Sequence, residues 1–332
     1  MIAAQISALI TLCLLLIYAT SLIVRSLKNL ARAAHLGAYG LTAFILAIST
    51  SLPELVVSLF AAAENNTSLI LGNIIGSNIA DLTLVIGGAT LLGGSLKVSG
   101  TILSRDIYLT WAAGLLPIFL VADGTLAATD GIVLLVVYAI MVTTFLRSHQ
   151  RSLATHSLST SPTQRILALV TRPNGHDGAL FKFIFGVLLL LVSSHFIVQL
   201  ATALSISSGL SNLFIGLFIV SVGTSLPELA FEIKAVITGH ADMALGDLLG
   251  SVIANSTLIL GLSSLISPLT LTHRGLWPYT LALLFFTLIF ALFTQFVKSK
   301  KRLEWWEGLI LLCIYLIFVL VEYWSQQASI FG

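Results

Sequence analysis

The chain has 332 residues, of which 57% are hydrophobic and only 9% are charged, and its formal net charge at pH 7 is +2. Because soluble domains carry about 25% charged residues, this composition excludes a soluble globular protein and predicts a polytopic membrane protein. The small net charge also argues against a nucleic-acid partner.

Ten apolar segments follow one another along the chain, each close to the ~20 residues that a helix needs to cross a bilayer. They cover residues 2–24, 40–63, 69–93, 106–122, 125–146, 180–204, 210–237, 243–267, 277–297 and 305–324. No basic region precedes the first segment, so it is interpreted as a span and not as a signal peptide. The pattern predicts an all-α membrane protein with ten transmembrane helices.

The distribution of Lys and Arg predicts how the protein is oriented in the membrane. If the N-terminus lies outside the cell, all of the 16 Lys and Arg residues except Arg274 fall in cytoplasmic loops or their flanks. Cytoplasmic loops of membrane proteins carry an excess of such residues. We therefore expect a multi-pass protein of the cell membrane, with its partner the lipid bilayer and its N-terminus outside.

A polar segment at residues 147–178, rich in Ser, Thr, His and Arg, joins the fifth and sixth spans. Its acid content is the single Asp177, so it is not a Ca²⁺-binding module. We interpret it as a cytoplasmic linker between an N-terminal five-helix half, residues 1–146, and a C-terminal five-helix half, residues 179–332.

The sequence TSLPEL occurs twice, at residues 50–55 and 224–229, and the two copies extend over about 40–93 and 210–267. At the same offset of 174 residues, four further positions match: Gly72, Gly76, Ser77 and Gly87 correspond to Gly246, Gly250, Ser251 and Gly261. The copies occupy spans two and three and spans seven and eight. Equivalent spans are separated by an odd number of crossings, so they must point in opposite directions. The pattern predicts an inverted-topology repeat, the arrangement of transporters with ion sites between broken helices.

Polar residues within each copy recur at every fourth position, which places each set on one helix face. The four sets are Thr50, Glu54 and Ser58; Asn73, Ser77 and Asp81; Thr224, Glu228 and Glu232; and Asp247, Ser251 and Asn255. Four such faces on four helices can meet at a common centre.

Two prolines add further oxygen atoms to that centre. Pro53 and Pro227 have no N–H to donate, so the carbonyl groups of Ser49 and Gly223 have no helical partner. Such groups persist at membrane depth only where protein or a water-filled cavity satisfies them. Carboxylate, hydroxyl, amide and carbonyl oxygens together suit Na⁺, K⁺ or Ca²⁺.

The buried acids favour a functional interpretation. A charge at the bilayer centre costs about 2.5–3.5 kcal/mol or more, so Glu54, Glu228 and Asp81 would be costly unless they bind cations or protons. The alternative is that the polar residues only hold helices together. That alternative can explain Ser58 or Thr83, but it explains the two Pro-Glu pairs poorly.

The two segments STSLPELVVSLFAAAENNTSLILGNIIGSNIADLTLVIG and GTSLPELAFEIKAVITGHADMALGDLLGSVIANSTLILG resemble the two α-repeats of the calcium/cation antiporter superfamily, in its sodium/calcium exchanger branch. The resemblance implies a secondary antiporter and not an enzyme. It implies expulsion of Ca²⁺ by the inward Na⁺ gradient through alternating access, without a cofactor, by a chain that works as a monomer. By analogy, spans one and six slide across a rigid core of the other eight.

The resemblance also implies a cation cage, with Glu54 and Glu228 as its principal carboxylates. Additional hydroxyl or carbonyl ligands are expected from Thr50, Ser51, Ser77, Thr224, Ser225 and Ser251. Asp81 and Asn255 occupy the paired Asn/Asp positions, but relatives carry Asn in the first repeat and Asn or Asp in the second. Here the Asp is in the first repeat and the Asn in the second. This swap places the third carboxylate on the opposite side of the cage, and it leaves the question of K⁺ dependence open.

Charge arithmetic suggests how two ions could be coupled. Three ionised acids are balanced by three Na⁺, or by one Ca²⁺ together with a proton on Asp81. An uncompensated charge is costly to move past apolar helices, so loaded forms should switch more readily than an empty one.

Two acids break the symmetry between the copies, because Glu232 stands where the first copy has Ser58 and Asp247 where it has Asn73. They could form an electronegative cytoplasmic vestibule that draws Ca²⁺ toward the cage. Alternatively, Glu232 pairs with Lys234 or is solvated near the membrane edge.

Other functions stay open. Buried carboxyl groups can carry protons, so Ca²⁺/H⁺ exchange is the main alternative. Asp81 and Asp247 could suggest an intramembrane protease, although no second protease signature is present. A channel is also possible, but inverted repeats around a charged site favour alternating access.

Overall fold

The computed structural model describes residues 2–33, 51–97, 102–153, 177–239, 241–271, 291–292, 295 and 302–331. The described residues are almost entirely helical, with two short two-stranded ribbons. A helix satisfies its own N–H and C=O groups, which is the condition for a chain segment to lie in hydrocarbon. The predicted all-α class is confirmed.

The elements up to Leu153 are mostly helices, and the last of them extends into the predicted linker of residues 147–178. They are α1 (Ile2–Ala33), α2 (Leu52–Ala63), α3 (Thr67–Ala80), a π-helical turn (Asp81–Val85), α4 (Ile86–Gly93), β1 (Leu96–Lys97), α5 (Ile102–Leu120), a 3₁₀ turn (Val121–Asp123), β2 (Thr125–Leu126) and α6 (Ala128–Leu153).

The elements from Asp177 onward follow an order similar to that of the elements before Leu153. They are α7 (Asp177–Ser208), α8 (Asn212–Ile215), a π turn (Gly216–Val220), α9 (Ser221–Thr224), α10 (Leu226–Ile237), α11 (Ala241–Ile253), a π turn (Ala254–Ile259), α12 (Leu260–Ile266), β3 (Leu269–Thr270), β4 (Arg302–Leu303) and α13 (Trp305–Phe331).

The structure repeats its local geometry at the offset of 174 residues. α2 begins after Ser51 (φ −81°, ψ 6°) and α10 after Ser225 (φ −84°, ψ 2°), and each helix has its proline in the first turn. A proline is tolerated there because the first N–H groups of a helix have no intrahelical acceptor. The chain bends by 44° where α9 meets α10, so the break predicted from Pro227 is observed.

A second repeated feature was not predicted. α3 and α4 are joined by the π turn Asp81–Val85, and α11 and α12 by the π turn Ala254–Ile259. In each turn a threonine hydroxyl, of Thr83 or Thr257, donates to the carbonyl oxygen four residues earlier. Such bonds bend helices, and π turns occur frequently at functional sites.

Glycines let the two copies approach each other closely. α3 crosses the segment α8–α9, and a Cβ added to Gly72 would lie 2.5 Å from the carbonyl oxygen of Leu213. A Cβ added to Gly76 would lie 2.5 Å from the carbonyl oxygen of Leu217. Any larger residue would therefore push the helices apart and widen the polar centre between them.

α1 and α7 pack against each other along their lengths. The Ser207 hydroxyl donates to Oε1 of Gln5 at 2.7 Å, and a Cβ on Gly186 would lie 3.0 Å from the Ile23 side chain. This is the pair of spans that the family resemblance implies to slide across the rest of the protein. The sliding movement itself stays a prediction.

Two antiparallel ribbons connect the first part of the chain to the second. Leu96 of β1 is opposite Leu303 of β4, and Leu126 of β2 is opposite Leu269 of β3. All four leucines are buried. The ribbons therefore fix the ends of helices from one half against those from the other.

Five described helical segments are long and apolar enough to cross a membrane. They are Ile2–Ile23, Thr67–Gly93, Phe181–Ser208, Ala244–Ile266 and Trp305–Gln326. The bent pair Asn212–Thr224 and Leu226–Ile237 could form another span, and Leu52–Ala63, Ile107–Asp123 and Ala128–Thr144 are shorter apolar helices. All lie at predicted span positions. The predicted span 277–297 falls almost wholly outside the described residues, so the number ten stays a prediction.

The two cysteines are free, and they lie in different surroundings. Cys13 is buried, whereas Cys313 is exposed. Cys313 lies on a face of α13 that also exposes Leu316, Ile317 and Leu320. In a membrane protein an apolar side chain is compatible with such a surface, because lipid and not water covers it.

Replacement of Gly76 by Ala tests the close helix contact. The added methyl group meets backbone atoms that cannot move aside, so we expect the free energy of unfolding to fall by about 1–3 kcal/mol. The measurement is the thermal unfolding midpoint of the purified protein in detergent. Gly88→Ala is the matched control, because its Cβ would meet only a Leu229 methyl group at 3.2 Å. Equal midpoints for both variants would contradict the predicted contact.

Candidate functional site

Glu54 and Glu228 occupy equivalent positions in the first turns of α2 and α10. Their exposed fractions are only 1% and 2%, and the two carboxyl groups are close enough for their charges to interact. The structure therefore brings the two principal acids of the predicted cage together in the interior. Ser49 and Thr50, which immediately precede this region, lie outside the described residues.

Hydroxyl groups from one copy contact hydroxyl groups from the other. The Ser51 hydroxyl donates to Ser251 Oγ at 3.2 Å, and the Ser77 and Thr224 hydroxyls are 3.5 Å apart. All four side chains are buried. Four of the predicted hydroxyl ligands therefore meet in pairs across the two copies.

Ser51 and Ser225 precede their helices in the position where serine usually accepts a hydrogen bond from the helix N-terminus. Neither side chain does so. Ser51 instead donates to Ser251, and Ser225 Oγ is buried with no hydrogen-bond partner among the described residues. Ser51 thus contacts the other copy, and the Ser225 hydroxyl lies close to the carboxyl groups of Glu54 and Asp81.

Asn73 connects three parts of this centre. Its amide donates to Ser58 Oγ at 3.1 Å and to the backbone oxygen of Glu54 at 3.4 Å, and its Oδ1 accepts from Thr224 Oγ1 at 3.4 Å. Asn73 therefore fixes the turn that carries Glu54 against a residue of the other copy. It was recognised in the sequence only as a member of a polar face.

The paired positions Asp81 and Asn255 are both buried and both lie at the start of a π turn. The Asn255 amide donates to Asn78 Oδ1 at 3.1 Å, and the Asn78 amide donates to Ser256 Oγ at 2.9 Å. Sequence analysis missed Asn78, because the equivalent residue in the second copy is Val252 and the repeat comparison gives no signal there.

Several buried oxygen atoms of the centre have no hydrogen-bond partner in the described part of the chain. They are both carboxylate oxygens of Glu54, Oδ1 of Asp81, Oγ of Ser225, Oε2 of Glu228 and Oδ1 of Asn255. Buried polar groups are rarely left unsatisfied in native proteins. Every atom in this set can accept or coordinate, and most cannot donate, so the set is suited to a hard cation.

Two more acids belong to this cluster. Glu232 has an exposed fraction of 0% and Asp247 of 4%, and the charges of Asp247 and Asp81 act on Glu232. Asp247 also interacts with Glu54, Asp81 and Glu228. The alternative that Glu232 is solvated near the membrane edge is therefore wrong. Five carboxyl groups, and not three, share one interior.

These acids do not converge by themselves on one point. Among the described residues, no group of three or more His, Cys, Asp or Glu side chains is arranged to hold a metal ion. The mixed ligand set of carboxylate, hydroxyl, amide and carbonyl oxygens stays a prediction.

Gly223, the last of the predicted site residues, is buried. A Cβ there would collide with Cys13 Sγ on α1. A larger residue would collide with α1, so glycine allows that helix to pass next to the break before Ser225.

The arrangement can now be compared with known proteins. A family model described as "Sodium/calcium exchanger protein" matches residues 5–147 and 178–324. The chain belongs to the sodium/calcium exchanger family. It is a multi-pass membrane protein and a cation antiporter of the calcium-transporting kind, not an enzyme. The matched residues are interrupted at the polar segment that was interpreted as a linker.

Similar proteins match from about three quarters of this chain to nearly all of it. The putative antiporter CaxA of Alkalimonas amylolytica is 29% identical over 95% of this chain and 97% of its own length. The inner membrane protein YrbG of Escherichia coli K12 is 32% identical over 77% and 78%. The sodium/calcium exchanger MaX1 of Methanosarcina acetivorans is 26% identical over 91% and 93%. A solved structure of the sodium-calcium exchanger NCX_Mj shares the fold, with a TM-score of 0.64 and 23% identity over 96% of this chain and 98% of that one.

Asn73→Leu tests whether Asn73 organises the centre of this exchanger. The change keeps the approximate size but removes every hydrogen bond, so we expect a loss of about 1–3 kcal/mol in stability and a smaller Ca²⁺-induced rise of the unfolding midpoint. Thermal unfolding with and without Ca²⁺ measures both. Thr90→Val is the control, since the Thr90 hydroxyl is buried but bonds only Ile86 O of its own helix. An unchanged Ca²⁺ effect in Asn73→Leu would count against the assigned role.

Proposed function

We propose that this protein exchanges Na⁺ for Ca²⁺ across the membrane by alternating access, and that the Na⁺ gradient drives Ca²⁺ out of the cell. The observation that carries the proposal is the set of buried, unpartnered oxygens around Glu54 and Glu228. These oxygens come from both copies of the repeat. Such a set needs positive charge, and it is closed to solvent.

The proposed ligands are the two glutamates, Asp81 and Asn255, with hydroxyl groups beside them. The hydroxyl and carbonyl ligands are Thr50, Ser51, Ser77, Thr224, Ser225, Ser251 and the backbone oxygens of Ser49 and Gly223. Ca²⁺ takes six to eight oxygen ligands in flexible geometry, as a mixed cage can supply. One cage serves both ions in turn, which makes the exchange alternate.

Coupling follows from the cost of moving charge through apolar surroundings. Glu54, Glu228 and Asp81 are balanced by three Na⁺, or by one Ca²⁺ and one proton, whereas an empty cage keeps its charge. The loaded forms therefore switch and the empty form does not. In this proposal α1 and α7 are the moving pair, because they pack on each other.

The names of related proteins agree with calcium transport but differ in the accompanying cations. MaX1 is named a sodium/calcium exchanger, whereas Nckx30C of Drosophila melanogaster, 26% identical over 48% of this chain, is named a sodium/potassium/calcium exchanger. A carboxylate in place of the Asn255 amide would favour an additional cation. We therefore propose an exchanger that does not require K⁺.

Ca²⁺/H⁺ exchange is the second candidate. The observation that favours it is the burial of five carboxyl groups in one interior. Burial disfavours the charged form of a carboxyl group, so such groups can carry protons as cargo. The hydroxyl-rich surroundings of Glu54 and Glu228 favour Na⁺, because proton carriers need no coordination shell.

We further propose the complete architecture inferred from the sequence. Ten spans form two inverted halves, at residues 1–146 and 179–332, and a cytoplasmic linker at 147–178 joins them. The N-terminus lies outside the cell, and the chain works in the lipid bilayer as a monomer. The asymmetry of basic residues supports this orientation.

Flux measurements separate the two candidate functions. Purified protein in liposomes should take up ⁴⁵Ca²⁺ when an outward Na⁺ gradient is imposed, and not when a pH or K⁺ gradient is imposed alone. Glu54→Gln and Glu228→Gln should each abolish the uptake, because each removes a carboxylate that both ions share. Glu64→Gln is the control, since Glu64 is an exposed acid at the end of α2. Uptake driven by pH alone would establish the alternative, and normal uptake by Glu54→Gln would refute the assigned cage.

Thiol labelling tests the orientation. A cysteine introduced at residue 160, within the linker, should react with a membrane-impermeant maleimide only after the cells are opened. A cysteine at residue 274, in the one basic position predicted outside, should react in intact cells. The reverse pattern would invert the proposed topology. Cys13→Ser/Cys313→Ser is the background variant, because Cys313 is exposed.

A further inference from the structure

The paired positions Asp81 and Asn255 present different atoms to a cation. A carboxylate has two equivalent acceptor oxygens, whereas an amide has one acceptor oxygen and one NH₂ group that only donates. Asp81 can therefore face a cation with either oxygen. Asn255 can coordinate a cation only when its amide is turned so that Oδ1, and not Nδ2, points toward the ion. The neutral member of the pair thus needs a neighbour that fixes the orientation of its amide.

Asn78 is in contact with the donor end of this amide. Asn255 Nδ2 donates to Asn78 Oδ1 at 3.1 Å. The other end of the amide, Asn255 Oδ1, is buried and has no hydrogen-bond partner in the described part of the chain. The contact with Asn78 therefore occupies the group that would repel a cation and leaves open the oxygen that can coordinate one.

Asn78 is itself held in place by a second hydrogen bond. Its Nδ2 donates to Ser256 Oγ at 2.9 Å, so its Oδ1 is the end that meets Asn255. The exposed fractions of Asn78, Asn255 and Ser256 are 5%, 1% and 2%. Breaking either bond would leave a buried polar group unsatisfied, which is costly. The chain of side chains from Ser256 through Asn78 thus fixes how the Asn255 amide is turned.

This contact lies where the two copies of the repeat meet. Asn255 is one helical turn beyond Ser251, whose hydroxyl accepts from Ser51 at 3.2 Å. Asn78 directly follows Ser77, whose hydroxyl is 3.5 Å from a hydroxyl of the other copy. The oriented amide is therefore next to the hydroxyl groups of the proposed cage.

The second copy lacks a polar residue at the equivalent position. At the offset of 174 residues Asn78 corresponds to Val252, which is 0% exposed and cannot form a side-chain hydrogen bond. By the symmetry of the repeat, Val252 corresponds to Asp81 as Asn78 corresponds to Asn255. The orienting amide is thus present in the pair that contains an amide ligand. It is replaced by an apolar residue in the pair that contains a carboxylate, which needs no such orientation.

We propose that Asn78 is a positioning residue of this exchanger, which holds the Asn255 amide so that Oδ1 faces the transported cation. Asn78 acts through Asn255 and does not coordinate the ion. The inference rests on the proposed function, since it takes Asn255 to be a ligand of the cage. Without Asn78 the amide can turn over, and its NH₂ group then faces the cation and weakens binding.

A double-mutant cycle tests this role. Asn78→Val introduces the residue that the second copy buries at the equivalent position. In equilibrium ⁴⁵Ca²⁺ binding to the purified full chain without Na⁺, we expect Asn78→Val to weaken the affinity about tenfold, since an oriented polar contact with a charge is lost. In the Asn255→Asp background the same change should alter the affinity by less than about twofold, because either carboxylate oxygen can coordinate.

The cycle distinguishes orientation from packing. A packing role for Asn78 would weaken binding by the same factor in both backgrounds, and this result would overturn the proposal. Unchanged or tighter binding by Asn78→Val alone would do the same. Unfolding midpoints without Ca²⁺ show whether each variant is folded. Ser256→Ala is the milder second variant, because it removes the acceptor that holds Asn78 in place, and it should weaken binding in the Asn255 background only.

Glu54→Gln in the same assay tests the cage separately from Asn78. It removes a principal carboxylate and should abolish Ca²⁺ binding, whatever the result of the cycle. If Glu54→Gln loses binding while the cycle shows equal losses in both backgrounds, the role of Asn78 is refuted and the proposed cage stands. Normal binding by Glu54→Gln would instead refute the cage, and with it the role of Asn78.

Discussion

The structure depends on one electrostatic constraint, which is that several carboxyl groups are buried in the interior. Glu54, Glu228 and Glu232 are at most 2% exposed. In such surroundings an unbalanced charge costs far more than at a protein surface. Other features of the centre can be understood as responses to this cost. Serine hydroxyls turn away from helix capping toward the centre, and a buried asparagine fixes the turn that carries Glu54.

Duplication is a direct way to build such an interior. One copy supplies two broken or bent helices, and two copies supply the several oxygen-bearing faces that must meet at one point. They can meet only if the backbones approach closely, which Gly72 and Gly216 allow, since added Cβ atoms would lie within 3.0 Å of the opposite backbone. The hydroxyl contacts Ser51–Ser251 and Ser77–Thr224 then cross between the copies. The small residues thus allow the close approach of the helices that brings the acidic residues of the two copies together.

Much of the centre could be predicted from the sequence, because the same pattern of residues occurs in two matching segments. The helix break at Pro227, the pairing of Glu54 with Glu228 and the burial of Ser251 follow from local rules applied to two matching segments. The π turns, Asn78 and the burial of Glu232 could not be predicted in this way. A π turn reflects tertiary packing more than local propensity, and Asn78 has no counterpart in the second copy. Spacing placed Glu232 on the same face as Glu228, but only the packing of α10 on α11 determines whether that face meets water.

The unequal distribution of acids has a consequence for an ion in the cage. The first copy contributes Glu54 and Asp81, whereas the second contributes Glu228, Glu232 and Asp247, all of them buried. Acidic side chains are therefore distributed unequally around the cage, with two in the first copy and three in the second. If the copies are inverted with respect to the membrane, that asymmetry lies along the transport direction. Residues that differ between the otherwise matching copies, and not the nearly symmetric cage itself, are therefore what can make the two sides of the membrane unequal for a cation.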